Sequence, residues 1–99
     1  MNGTIVRIYC TEAEGKLKEL TAFLHDKECI RGLTVFRGVA GYGVSGKVHG
    51  SGLIDLSLDM PLVLEFFDEA DKVATVLEDL RPLVAPGHVI SWPIEILTE

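Results

Sequence analysis

The sequence predicts an α+β sandwich in which one antiparallel sheet carries two helices on a single face. Two observations lead there. Three stretches place apolar residues at every second position, the period of a strand with one buried side, with a fourth strand at Leu33 to Ala40, and two further stretches place them at helical spacing, each lying between two of the strands. A third is size: 99 residues make about one domain, so residues 1–99 must close into a single β-α-β, β-α-β unit.

The first strand is Thr4 to Cys10 (TIVRIYC), rich in β-branched and aromatic side chains. Thr11 followed three positions later by Glu14 fits a capping box, which starts a helix by satisfying its free backbone N–H groups. Ala13, Leu17, Leu20 and Leu24 give that helix an apolar stripe with Phe23 beside it, and the helix ends near Glu28, ahead of Gly32. Leu33 to Ala40 is the second strand.

From Ile54 the alternation is strict: Ile54, Leu56, Leu58 and Met60 against Asp55, Ser57 and Asp59. Pro61 interrupts this third strand and LVLEFF continues it, so it is expected to bend there or to lack a partner on one side, because proline cannot donate to a ladder. Asp68 opens the second helix with Glu69 and Asp71 in its first turn, where the helix dipole favours acids. Ala70, Val73, Ala74, Leu77 and Leu80 form its stripe and Pro82 ends it. In the last strand Ile90, Trp92, Ile94 and Ile96 alternate with Ser91, Pro93 and Glu95, and Pro93 marks it as an edge strand or one that bends. The order gives the ferredoxin-like βαββαβ sandwich. One sheet face is then uncovered yet apolar, so subunits are expected to pack on it.

Composition narrows the function classes. A net charge of -6 with pI near 4.9 argues against nucleic-acid binding, which needs several phosphate-neutralising cations on one face. The start, MNGTIVRIYC, has no export-signal pattern and there is no long uncharged apolar run, so a cytoplasmic protein is expected, with Cys10 and Cys29 reduced and buried.

Against this acidic background the stretch from Arg31 to Gly52 stands out. It holds seven of the chain's ten glycines, three of its basic residues and no acid. Glycine lets backbone N–H groups approach a ligand closely, and an anion is the natural occupant. The plain alternative is a hairpin loop, for which Gly, Ser and Lys are ordinary.

The neighbouring residues carry a resemblance over essentially the whole chain. Gly32-Leu33-Thr34-Val35, RGVAGYG, PLVLEFFD and Gly87-His88-Val89-Ile90-Ser91-Trp92-Pro93-Ile94 resemble the PII-like signalling superfamily, and most closely its domain of unknown function 190 branch. The resemblance implies a non-catalytic regulatory homotrimer that binds a small anionic ligand, usually an adenine nucleotide, between subunits and signals through the segment between strands two and three. Carried over by residue, it places Thr34 on the base, Gly41 and Gly43 with Tyr42 between them on the phosphates, and Gly87 and His88 at the closing edge of the cleft. The signalling loop falls at Val44 to Leu53, and a transporter or other membrane protein is the candidate partner class.

Two departures from the family pattern alter the expectation. His88 stands where nucleotide-binding members have a lysine, and no arginine follows Arg81, so fixed charge is missing and a monophosphate, a cyclic nucleotide or another anion fits better than a triphosphate. The loop also lacks a tyrosine for nucleotidylation within 44–53.

Other readings attach to single residues. Arg37 is assigned either to an acid at a subunit interface or to an anion, and His88 either to the surface or to the ligand. His25 and Cys29, four apart, have a spacing that could hold a metal, but no third ligand can be placed, so no metal site is assigned. Trp92 is read as core or interface. The alternative from another class is a small acylphosphatase-like hydrolase using Arg37 and Gly38, which the acids Glu12 and Glu14 in the first strand-to-helix turn oppose; another is a structural oligomer without ligand.

Overall fold

In the computed structural model, which describes residues 1–42, 48–50 and 60–98, two helical segments pack on one face of a four-stranded antiparallel sheet. The elements are β1 (Asn2–Thr11), α1 (Leu17–Ala22), β2 (Leu33–Arg37), β3 (Ala40–Tyr42), β4 (Val48–Gly50), β5 (Pro61–Glu69), α2 (Ala70–Leu80) and β6 (Val89–Glu95). The sheet order β2-β5-β1-β6 is the ferredoxin-like arrangement expected from the sequence. β1 pairs with β5 (Ile8 with Leu64) and with β6 (Ile8 with Val89), while β2 reaches the sheet only through β5 (Val35 with Leu64).

Alternation decides which side chains meet the helices. Val6, Ile8 and Cys10 of β1 and Leu62, Leu64 and Phe66 of β5 point to the helical layer and are buried with Leu20, Leu24, Val73, Val76 and Leu80. In α2 the buried stripe runs through Val76; Ala74, assigned to it from the sequence, is exposed, and Ala70 and Leu77 sit at its margins. Among the described residues, no helix is long and apolar enough to cross a membrane.

The first helix departs from expectation. Glu12–Glu14 form one 3₁₀ turn, Gly15 takes a left-handed conformation (φ 68°), and α1 begins only at Leu17, continuing as a π-turn over Phe23–Lys27. Thr11 makes no side-chain cap; its hydroxyl instead contacts Glu14 Oε1 at 3.4 Å. The capping box fails because a helix begun at Glu12 would have to run through Gly15, and glycine in the left-handed region ends a turn.

The second strand also divides. Gly38 donates its N–H to the Pro61 carbonyl (2.8 Å), and the chain resumes as β3, pairing with β4 through Ala40–Gly50, Gly41–His49 and Tyr42–Val48. Residues 48–50, read from the sequence as loop, are therefore the second strand of a hairpin. Pro61 is the first residue of β5, a position that needs no donor. The alternating run expected at 54–59 lies outside the described residues.

The second helix begins later than its run of acids suggests. β5 runs on to Glu69, so α2 starts two residues later than Asp68. Asp68 is 3% exposed and accepts hydrogen bonds from the N–H groups of Glu69 (2.8 Å) and Arg31 (3.2 Å), tying the link into β2 to the start of α2.

Candidate functional site

The open face of the sheet carries the alternate residues: Ile5, Arg7 and Tyr9 of β1, Val63, Glu65 and Phe67 of β5, Thr34 and Phe36 of β2, Ile90 and Trp92 of β6. Phe36 is 47% exposed, Ile90 45%, and Tyr9, Phe67 and Trp92 each 40%. In their midst the Arg7 guanidinium donates to Glu65 Oε1 at 2.8 Å and lies 5.6 Å from the Trp92 ring centre. Trp92 thus sits on an exposed apolar face, as an interface residue would.

The residues assigned to a ligand fall into two groups. Thr34 is exposed on β2, opposite Glu65, and Gly41 and the exposed Tyr42 follow it on the β3–β4 hairpin. Gly43 lies outside the described residues, as do 44–47 and 51–53 of the assigned loop. Gly87 and His88 form the turn before β6, at the other edge of the sheet. Three strand spacings separate the edges, about 14 Å. A single chain does not bring the two groups together.

The second group is held firmly. Gly87 has φ 86°, a region where a side chain is strained. His88 donates its backbone N–H to the Ala85 carbonyl (3.3 Å), its own carbonyl accepts the Tyr9 N–H (2.8 Å), and its ring Nδ1 lies 3.2 Å from the Tyr9 carbonyl. A carbonyl only accepts, so Nδ1 carries the proton and Nε2 is the ring nitrogen left for other partners.

Beside it is a cleft of about 120 Å³ lined by Tyr9, Cys10, Glu14, Lys16, Ala85 and His88, among others. Lys16 reaches across from the start of α1 and donates to the Leu83 carbonyl at 3.0 Å. Cys10 is buried at 7% exposure, and burial first, then the Glu14 charge, pushes its thiol above the ordinary range, with Lys16 opposing them. The thiol is therefore protonated at neutral pH and a poor nucleophile. Cys29, expected to be buried, is exposed, at a left-handed φ of 54°.

Arg37 is resolved by tertiary contact. Its guanidinium pairs with Glu12 Oε1 in the turn after β1, within the same chain. That spends the cation which an acylphosphatase-like site would need. His25 pairs with its neighbour Asp26 at 2.7 Å. Sequence reasoning overlooked Glu12 as a partner of Arg37 and Lys16 as a residue lining the cleft beside His88. One local signal existed for Lys16: a lysine at the start of a helix works against the dipole, where an acid is preferred.

The profile of the DUF190 family, described as Uncharacterized ACR, matches residues 3–96. A UPF0166 protein of Methanocaldococcus jannaschii is 34% identical over 91 residues, covering 87% of this chain and 82% of the relative. A UPF0166 protein of Aquifex aeolicus is 33% identical over 81 residues, covering 78% and 77%. Among solved structures, CPII from Thiomonas intermedia K12, a nitrogen regulatory PII-like protein bound to ADP, AMP and bicarbonate, superposes with TM-score 0.71 at 20% identity, over 97% of this chain and 89% of that one. That likeness concerns the fold.

Proposed function

The chain belongs to the DUF190 family, whose fold is PII-like, and from that premise we propose that it is a non-catalytic regulatory protein which binds a small anionic ligand, an adenine nucleotide foremost, between copies of itself. The observation that carries the reading is the division of the ligand residues between opposite edges of the sheet. Thr34, Gly41 and Tyr42 lie at the β2 edge and Gly87 and His88 at the β6 edge, so a site containing both needs the β2 edge of one copy against the β6 edge of another. Two different surfaces meeting head to tail close into a ring when the rotation between copies closes, and a homotrimer is the ring we assign.

The open sheet face supports assembly independently. Exposed Tyr9, Phe36, Phe67, Ile90 and Trp92 on one side of a 99-residue chain form an apolar patch of the kind that marks an interface. The solved PII-like relative holds ADP and AMP, which favours an adenine nucleotide for this chain as well. The hairpin continues from the β2 edge, so ligand contact at Gly41 and Gly43 would bias the 44–53 segment and the surface it offers a partner, a transporter or other membrane protein being the class proposed.

The test is a calorimetric titration of adenine nucleotides, cyclic nucleotides and inorganic anions, with product analysis on the same samples and light scattering for size. Uptake near micromolar affinity by a trimer, with no turnover, is expected. A stable monomer, or no uptake across the panel, overturns the reading, and turnover would make it an enzyme. Thr34→Val, at an exposed position, should weaken nucleotide binding about fivefold by removing one hydrogen bond.

A further inference from the structure

We infer that the cleft between the end of β1, the start of α1 and the turn before β6 is an anion subsite in which Lys16 supplies the charge that holds a phosphoryl group. The inference deepens the proposed ligand-binding role and rests on it only for the nucleoside part of the ligand.

Lys16 has charge to spare. Arg7 is paired with Glu65, Arg37 with Glu12, Lys72 with Asp68 and Arg81 with Glu78. The hydrogen bond of Lys16 is to a neutral carbonyl, that of Leu83, and among the described residues no carboxylate lies within ion-pair distance of its ammonium. An ammonium has three donors, so two remain for a ligand.

Beside the apolar Ile8, Leu20 and Val84 and the opposing Glu14 carboxylate, the cleft wall holds two further groups able to bond a small oxyanion. His88, whose Nδ1 is engaged by the Tyr9 carbonyl, has Nε2 left for a hydrogen bond with a phosphoryl oxygen or a ribose hydroxyl. The protonated Cys10 thiol is a weak donor on the same wall. Ligand pockets for whole drug-sized molecules run about 300–1,000 Å³. At about 120 Å³ this cleft admits a phosphoryl group and leaves the nucleoside outside, against a neighbouring copy. Lys16 therefore supplies the fixed charge from the α1 side of the cleft.

Glu14 lines the same cleft and fixes the sign of the test. The full chain is titrated with pyrophosphate and with ADP at constant pH and low salt, as wild type, Lys16→Met, Lys16→Arg and Glu14→Gln. Lys16→Met should weaken both ligands about tenfold, Lys16→Arg should hold them within about threefold, and Glu14→Gln should tighten them a fewfold. Unchanged affinity in Lys16→Met, or weaker binding in Glu14→Gln, overturns the subsite. Should Lys16→Met unfold, Glu14→Gln and the pyrophosphate-induced amide shifts at Lys16, Ala85 and His88 decide, and shifts clustered elsewhere refute it.

The two readings fail separately. ADP binding that ignores Lys16→Met removes the subsite and leaves the inter-copy cleft. Pyrophosphate binding that depends on Lys16, without any adenine nucleotide binding, keeps the subsite and removes the adenine ligand. A wild type that takes neither removes both.

Discussion

Asp68 shows how a single carboxylate joins two parts of the chain. It is 3% exposed, and burial alone would raise its pKa, yet the N–H groups of Glu69 and Arg31 and the nearby Lys72 ammonium (3.4 Å) hold it below the ordinary value. A carboxyl lowered on folding stabilises the protein above its unfolded value, about 3.9, and the contribution is lost as pH falls through the lower folded value. Asp68→Asn should cost about 2 kcal/mol at pH 7 and flatten the acid limb of stability, measured by urea unfolding between neutral and acid pH. Glu28 has the opposite sign. Desolvation first and then its neighbour Asp79 raise its carboxyl, so its contribution is full below the unfolded value and is lost as pH rises through the folded one. Glu28→Gln should therefore leave stability at pH 7 unchanged or up to about 0.5 kcal/mol higher, and a loss larger than that would refute the repulsion.

At the scale of elements, the junction of β2, β3 and β5 decides where the hairpin points. A Cβ on Gly38 would stand 2.8 Å from Pro61 Cγ, a ring that cannot swing away, and Gly38 also donates to the Pro61 carbonyl. A Cβ on Gly41 would stand 3.5 Å from the same ring, an ordinary contact. Gly38→Ala should accordingly cost about 1–2 kcal/mol in thermal or urea unfolding, while Gly41→Ala should be close to neutral. Equal effects would show that the approach to Pro61 does not set the junction. Across the strand, the Arg37–Glu12 pair ties the same end of β2 to the turn after β1, so the base of the hairpin is held from two sides.

For the whole molecule, the uncovered sheet face is the feature with the largest consequence. A charged group in place of a half-exposed aromatic on this open face lies outside the buried core cluster and so leaves the monomer fold in place, but it puts an unpaired charge in any interface formed there. Phe67→Glu should therefore keep its circular dichroism spectrum and shift the particle from oligomer to monomer in analytical ultracentrifugation. An unchanged assembly would mean that copies meet elsewhere. Loss of nucleotide binding in the same variant would follow if the ligand cleft lies between copies.

What was legible in the sequence was whatever depends on near neighbours. The period-two runs at Thr4 to Cys10 and Ile90 to Ile96 became β1 and β6, Pro93 marked an edge strand, and the stripe through Val73, Leu77 and Leu80 became α2, because side-chain periodicity is a local property of backbone geometry. The helix start at Thr11 was misread because the conformation of Gly15 prevailed over the capping pattern beside it. The residues proposed to meet a ligand were also visible one by one. Their arrangement was not: Thr34 and His88 stand at opposite edges, Arg37 is neutralised by Glu12, and Lys16 reaches the Leu83 carbonyl beside the cleft it shares with His88. The Arg37–Glu12 and Lys16–Leu83 contacts join residues 25 and 67 positions apart, and only the tertiary fold brings such distant groups within reach or, as with Thr34 and His88, holds them apart.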